Sequence, residues 1–295
     1  MAAIPNLSLI QVVGALQIGV ASSSFLTGCL VIQTYVYYSK FPSDPCFLKI
    51  FVAILVLLEV THLLCMAIAQ WQFTLDTAAS LVVFPYAADL VIVFSNLIFM
   101  CVQSFFILRL LKFSKNKYVA LACMILCAGF TISGEVIAAK AFAMTNSEQY
   151  IDAQYVMIIA SFILGTLCDL GITAGLMYHL FKLRKVEFRR TIRTVDTLML
   201  WTLETGLIPC MFGLASLGCF IAMRYNFIWI AFYEVLASTY ANACLAALNS
   251  RSITSHQNAI NMLDRDPRVP KPSDIVVNIS SSSNSTAPND GKGEI

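Results

Sequence analysis

Two apolar segments, residues 198–223 and 227–248, are joined by only Arg224-Tyr225-Asn226. Each exceeds the roughly 20 residues with which a helix, rising about 1.5 Å per residue, crosses about 30 Å of hydrocarbon. Three polar residues leave no room for a domain between them. The pair therefore reads as an antiparallel transmembrane hairpin with both free ends on one side of the membrane. Five further apolar segments, residues 12–37, 47–69, 86–111, 118–142 and 154–181, repeat the pattern upstream. The expected fold is all-α, an integral membrane bundle of seven transmembrane helices over residues 1–250. A mostly disordered tail, residues 251–295, is expected to follow, because its Pro, Ser, Asn and Gly cannot bury enough apolar surface to order it. Ile253, Ile260 and Leu263 read as one weak amphipathic turn along the membrane or, more plainly, as a fraying extension of the seventh helix past Arg251.

The connectors fit this plan. Pro42 and Pro45 turn the chain after the first span, since two prolines in four positions cannot continue a helix. Residues 70–85 contain Trp71 and Phe73 with one charge, Asp76, and read as a connector lying partly in the interface; residues 145–152 read as a polar connector. With 58% hydrophobic and 12% charged residues the chain lies far outside the soluble range, where charges run near a quarter. A net charge of +2 implies no nucleic-acid partner. Of ten cysteines, nine fall in apolar stretches and Cys46 in a connector, and no CxxC pair occurs. They read as small buried apolar residues, with neither a disulfide framework nor a metal site.

Lys and Arg cluster by side. Thirteen, including Lys182, Arg184, Lys185, Arg189, Arg190 and Arg193 between the fifth and sixth spans, fall on one face, against Lys140 and Arg224 on the other. The positive-inside bias places the N-terminus outside and the C-terminus in the cytoplasm. Asn6-Leu7-Ser8 is then a lumenal sequon, a possible glycosylation site, while those at Asn278 and Asn284 are cytoplasmic and silent.

Ionisable side chains at mid-bilayer cost about 2.5–3.5 kcal/mol each on insertion scales and usually face the bundle interior. Placing residues by helical rise puts Glu59, His62 and Asp169 near mid-membrane. Asp89, Glu135 and Glu234 fall in the outer part, and Glu204 in the inner third with Asn242 and Gln103; Asn96 adds a polar group on the third span. Six acids thus face one Lys and one His. Protonated carboxyls, an aqueous cavity, or a bound cation or amine would each resolve the imbalance. Glu59 and His62, at i and i+3, share a helix face and are placed to relay protons or bind an ion. The plainer reading is that such groups hydrogen-bond between helices and fix their packing.

Gly171 and Gly175 form a GxxxG on the fifth span, expected to let a neighbouring helix of the same chain approach closely. Pro209, three residues after Gly206, should kink the sixth span and makes the pair a candidate hinge. Three histidines are too few for a metal-dependent membrane hydrolase, the seventh span has no mid-depth lysine for retinal, and Leu108-Arg109-Leu110 and Ser238-Thr239-Tyr240-Ala241-Asn242 lack the rhodopsin-type receptor signatures. No catalytic or cofactor motif stands out, and no enzyme activity is expected.

The segments together resemble an uncharacterised family of basidiomycete fungal membrane proteins, domain of unknown function 6534. The resemblance rests on Gln33-Thr34-Tyr35-Val36-Tyr37-Tyr38, Asp44-Pro45 with Leu48-Lys49 and His62, and Thr205-Gly206-Leu207. Its strongest part is Asn226-Phe227-Ile228 with Ala231, Tyr240, Asn242 and Leu245-Ala246-Ala247-Leu248-Asn249-Ser250-Arg251. The family commonly shows Lys near Thr239 and Asp near Glu59, so this chain departs from it there. The resemblance implies seven spans and a fungal source and carries no activity. Small outer connectors and a basic inner loop favour a receptor-like sensor at the plasma membrane, with an outward cavity for a small molecule or ion and a cytoplasmic protein partner. The alternatives are a proton-coupled carrier or channel using Glu59, His62 and Asp169, and a membrane scaffold with no ligand site.

Overall fold

The computed structural model describes residues 9–75, 86–113, 117–144, 147–186, 189–223 and 228–263. Among them are seven helices and no strand: α1 (Leu9–Lys40), α2 (Cys46–Leu75), α3 (Tyr86–Phe113), α4 (Lys117–Ala143), α5 (Ser147–Val186), α6 (Arg189–Met223) and α7 (Ile228–Leu263). Six of them, α1 to α6, are long and apolar enough to cross a membrane. Large apolar side chains face outward, Phe25, Ile125 and Val156 among them. In water such a surface would drive aggregation; against lipid tails it costs nothing, and the chain is an integral membrane protein.

α7 is not among the six. Glu234, Ser238, Thr239 and Asn242 dilute its apolar residues, and its position explains why it tolerates them. Residues 234–241 are buried one after another around the whole helix circumference, so this stretch meets protein instead of lipid. Trp229 packs edge-on against Phe162 of α5 and Phe220 of α6, and Tyr240 lies with its ring centroid 4.9 Å from that of Phe99 on α3. On the α1 side, Asn242 Nδ2 donates to the Leu26 carbonyl at 2.9 Å and Asn249 Nδ2 to the Gln33 carbonyl at 2.8 Å.

The remaining helices pack in chain order, α1 on α2 through to α5 on α6, with α3 also touching α5. Successive helices run in opposite directions. Leu16 near the start of α1 packs with Phe73 near the end of α2, Ala88 at the start of α3 and Ile230 at the start of α7. The small residues of α5 permit its close neighbours: a β-carbon on Gly171 would stand 3.1 Å from Cys123 Sγ of α4, and one on Gly175 would stand 3.0 Å from Leu110 of α3. The GxxxG therefore serves packing within the chain.

Boundaries differ from the sequence expectation in physically explicable ways. The α1–α2 turn spans residues 41–45, where the prolines require it, and is fastened by side chains. Tyr37 hydroxyl donates to Asp44 Oδ2 at 3.0 Å, Tyr38 hydroxyl to the Lys49 carbonyl at 2.7 Å, and Lys49 Nζ to the Pro42 carbonyl at 2.6 Å. Residues 70–75, expected to begin a connector, continue α2, because Phe73 finds a buried apolar contact there. Residues 147–152, expected as connector, open α5 and bury Tyr150 and Ile151. The basic cluster from Lys182 to Arg193, expected as a loop, lies on the end of α5 and the start of α6 apart from residues 187–188, which are outside the described residues. Lys, Arg and Leu are strong helix formers, and nothing in the cluster breaks a helix.

The chain divides into two compact units, Met1–Ser250 and Arg251–Ile295. In the second, residues 251–263 are helical. The expected disorder over residues 264–295 and the sequons at Asn6, Asn278 and Asn284 lie outside the described residues.

Candidate functional site

A cavity of about 110 Å³ lies inside the bundle, reaching from the end where α1, α3, α5 and α7 begin to the middle of α5 and α7. A single buried water needs about 10–15 Å³ on this scale, so the space admits a small organic molecule or a cluster of waters. Its walls are mainly apolar and aromatic, with Phe130, Phe162 and Trp229 among them. Polar groups interrupt them, among them Asp89 and Asn96 from α3, Asp169 from α5, and Tyr233, Glu234 and Tyr240 from α7. Convergence of a few polar groups in an otherwise apolar hollow is the usual construction of a small-molecule site.

Asp169 forms the floor. Gln103 Nε2 donates to its Oδ1 at 3.0 Å, and Tyr240 hydroxyl donates to its Oδ2. One carboxylate thereby ties α5 to both α3 and α7. Below the floor is a second hollow of about 20 Å³, and Asp169, Pro209 and Tyr240 line both. Pro209 lies inside α6 and supplies no N–H to the Thr205 carbonyl one turn earlier, which leaves that turn of helix without its bond.

Higher in the cavity, Glu234 and Asn96 are held tightly and left with unbonded atoms, and Gln70 Oε1 of α2 is unbonded there too. Glu234 is 6% exposed and its Oε2 has no hydrogen bond. It sits against Gly19 of α1, where a β-carbon would collide with that oxygen. Asn96 is 2% exposed and its Nδ2 is likewise unbonded; its Oδ1 receives only a long bond, 3.5 Å, from Tyr233 hydroxyl. Its amide fills the space over Gly134 of α4, where a β-carbon would come within 2.5 Å of Oδ1. Two glycines thus leave room for Glu234 and Asn96.

Of the residues singled out from sequence, Asp89, Asn96, Asp169 and Glu234 converge on this cavity, while Glu59 and His62 do not line it. Glu59 is fully buried, with Thr27 hydroxyl 3.2 Å from its Oε1 and Ser238 beside it. Ser95 hydroxyl gives its single proton to the Val91 carbonyl at 2.8 Å, so it accepts from His62 Nε2 at 3.0 Å. That bond sets the His62 tautomer and leaves Nδ1 as an acceptor without a partner. Glu59, His62 and Asp169 each have a different set of hydrogen-bond partners, and no bond among the described residues links the three. Asn242 belongs to the α1–α7 joint, accepting from Gln33 Nε2 at 3.2 Å and donating to the Leu26 and Ser238 carbonyls. Glu135 is half-buried outside the cavity lining, with Oε1 unbonded. Gly206 faces Thr173 of α5 closely enough that a β-carbon would collide with it. Lys182 is exposed at the end of α5. The side chains of Glu204, Arg184, Lys185, Arg189, Arg190 and Arg193 are outside the described residues.

Sequence reasoning missed Tyr233 and Tyr240. Their i, i+7 spacing was the available signal, since it puts both on one helix stripe, toward α3 and α5, while Glu234 lies about 100° further round and meets α1. Among the described residues, no three His, Cys, Asp or Glu come close enough to share a metal ion. The arrangement is suited to binding an organic molecule.

Residues 165–253 match a family described as a family of unknown function (DUF6534). The match takes in the second half of α5, α6 and most of α7, hence the floor residue Asp169 and the α7 wall. No curated protein and no solved structure matches the chain.

Proposed function

We propose that this protein is a receptor-like membrane sensor crossing the bilayer seven times. Its N-terminus and cavity face the outside of the cell, and the basic ends of α5 and α6 face a cytoplasmic protein partner. The cavity is the observation that carries this reading: apolar walls, convergent polar groups and unbonded Asn96 Nδ2 and Glu234 Oε2. Support for the orientation comes from the excess of Lys and Arg at the other end of the bundle. α7 counts as the seventh span because protein surrounds its polar stretch. A second reading, a carrier open to each side in turn, draws on the residues shared by the two hollows, Asp169, Pro209 and Tyr240.

Thiol labelling in intact cells separates these readings. Ser161 lines the cavity, and Ser161→Cys is close to isosteric. A small membrane-impermeant methanethiosulfonate applied outside should modify this variant, while Cys46, exposed at the opposite end, should be modified only after permeabilisation. Modification from the cytoplasmic side alone would invert the orientation and sink the sensor reading. Modification from either side would favour the carrier.

A further inference from the structure

We propose that the ligand of this cavity is a small organic cation, an ammonium group on an apolar body, drawn by the two acids of its wall, Asp89 and Glu234. This rests on the reading of the cavity as a ligand site and adds the chemical class. Burying a carboxyl without a hydrogen-bond partner is costly, and a bundle that fixes one in place leaves a site for a complementary group. Glu234 is such a carboxyl, 6% exposed, with Oε2 unbonded and lining the cavity. Asp89, 4% exposed, lines the same cavity from α3. No Lys, Arg or His lines it among the described residues, so neither acid has a cationic side chain of the protein facing it there.

The titratable groups facing these two acids across the cavity are Asp169 from α5, Tyr150 from α5, and Tyr233 and Tyr240 from α7. All are acidic or phenolic, so none offers a positive charge. Asp169 already accepts from Gln103 and Tyr240, which leaves Glu234 and Asp89 as the pair available for an incoming charge. A metal ion is the poorer candidate, since no three potential ligands cluster among the described residues. The wall favours a cation bearing carbon, because Trp229 and the tyrosines supply aromatic rings, whose faces attract ammonium groups, and the phenylalanines supply apolar surface for the body. Asn96 Nδ2, unbonded and 2% exposed, asks for one acceptor on the ligand, such as a hydroxyl or carbonyl oxygen.

The test uses the full chain in membranes, with Ser161→Cys as reporter and Ala88→Cys as a second cavity reporter. Rates of modification by trimethylammonioethyl and sulfonatoethyl methanethiosulfonate are each normalised to the rate with a free thiol in solution. An acid-lined, low-dielectric hollow should favour the cationic reagent by about tenfold or more. Glu234→Gln or Asp89→Asn should each reduce that preference several-fold. Phenethylamine should slow the labelling, and phenethyl alcohol, which has the same body without the charge, should not. Equal normalised rates for the two reagents, or equal protection by amine and alcohol, would overturn the cation inference and leave the ligand cavity standing. Failure of both reagents to reach either reporter would overturn the cavity reading and the inference with it.

Discussion

Asp169→Leu is expected to destabilise the bundle by on the order of 1–3 kcal/mol. The substitution removes the common acceptor of Gln103 Nε2 and Tyr240 hydroxyl and leaves both donors buried. Each orphaned donor costs about 1–3 kcal/mol in a protein interior, reduced in membranes because the unfolded helices find other partners, with a measured average of about 0.6 per bond. Leucine has the same branched arrangement of four side-chain heavy atoms and bulkier ends, so little of the loss comes from a void. Tyr240→Phe removes one donor and keeps the other bond, and should cost about 1 kcal/mol. Detergent denaturation of the purified full chain, monitored by helicity, gives both values, and the double variant should cost less than the sum because the two changes remove a shared bond. If Asp169→Leu unfolds at the same detergent fraction as the parent, the floor of the cavity is not a joint between α3, α5 and α7.

The bundle was legible because apolar run length and proline position act locally. Pro42 and Pro45 stop and restart helices whatever surrounds them, and the turn lies where they put it. Helix ends that depend on a tertiary contact were not legible. α2 gains its last turns because Phe73 meets Leu16 and Ala88, residues distant in sequence.

The site shows the same division. A rise of 1.5 Å per residue fixes how deep a side chain lies but leaves open which way it faces. Glu59, His62 and Asp169 were placed at one depth, yet Glu59 meets Thr27 of α1 while Asp169 meets Gln103 of α3 and Tyr240 of α7. In a soluble helix the apolar stripe would have indicated the inward face. Here the outward face is as apolar as the core, so periodicity carries little information about rotation. What remained readable was the cost of intramembrane acids. It directed attention to Asp89, Asp169 and Glu234, which do line one cavity, and equally to Glu59, which belongs to a joint. Several residues that carry the family resemblance, Gln33, Tyr37, Tyr38, Asp44, Lys49, Asn242 and Asn249, are hydrogen-bonded at the α1–α2 turn and the α1–α7 contact. These residues hold helices together, so the resemblance they carry bears on the fold, and the family, of unknown function, adds no activity.

Gly206→Val should cost about 3 kcal/mol, at the upper end of what overpacking a tight interface usually does. A β-carbon at this position collides with Thr173 Oγ1 and lies 2.9 Å from Cγ2 and 3.0 Å from Cβ of the same residue. Rotating the threonine moves Oγ1 and Cγ2 but leaves Cβ where the α5 backbone fixes it, so α5 and α6 must separate. That strain falls one turn before Pro209, whose missing N–H already weakens α6 at the level of the cavity floor. Gly206→Ala tests the sign of the balance, since alanine gains up to about 1 kcal/mol of helix propensity over glycine against the same collision. It should still be destabilising, and Thr173→Ala should rescue it by removing Oγ1 and Cγ2. Gly28→Ala is the control, because nothing lies within 4 Å of the β-carbon it would add, and it should be neutral or slightly stabilising. Thermal unfolding of the four variants in one detergent measures the series. A neutral Gly206→Val would mean that α5 and α6 slide apart freely at this level, and the close approach of Gly206 to Thr173 would then contribute nothing to holding the floor of the cavity in place.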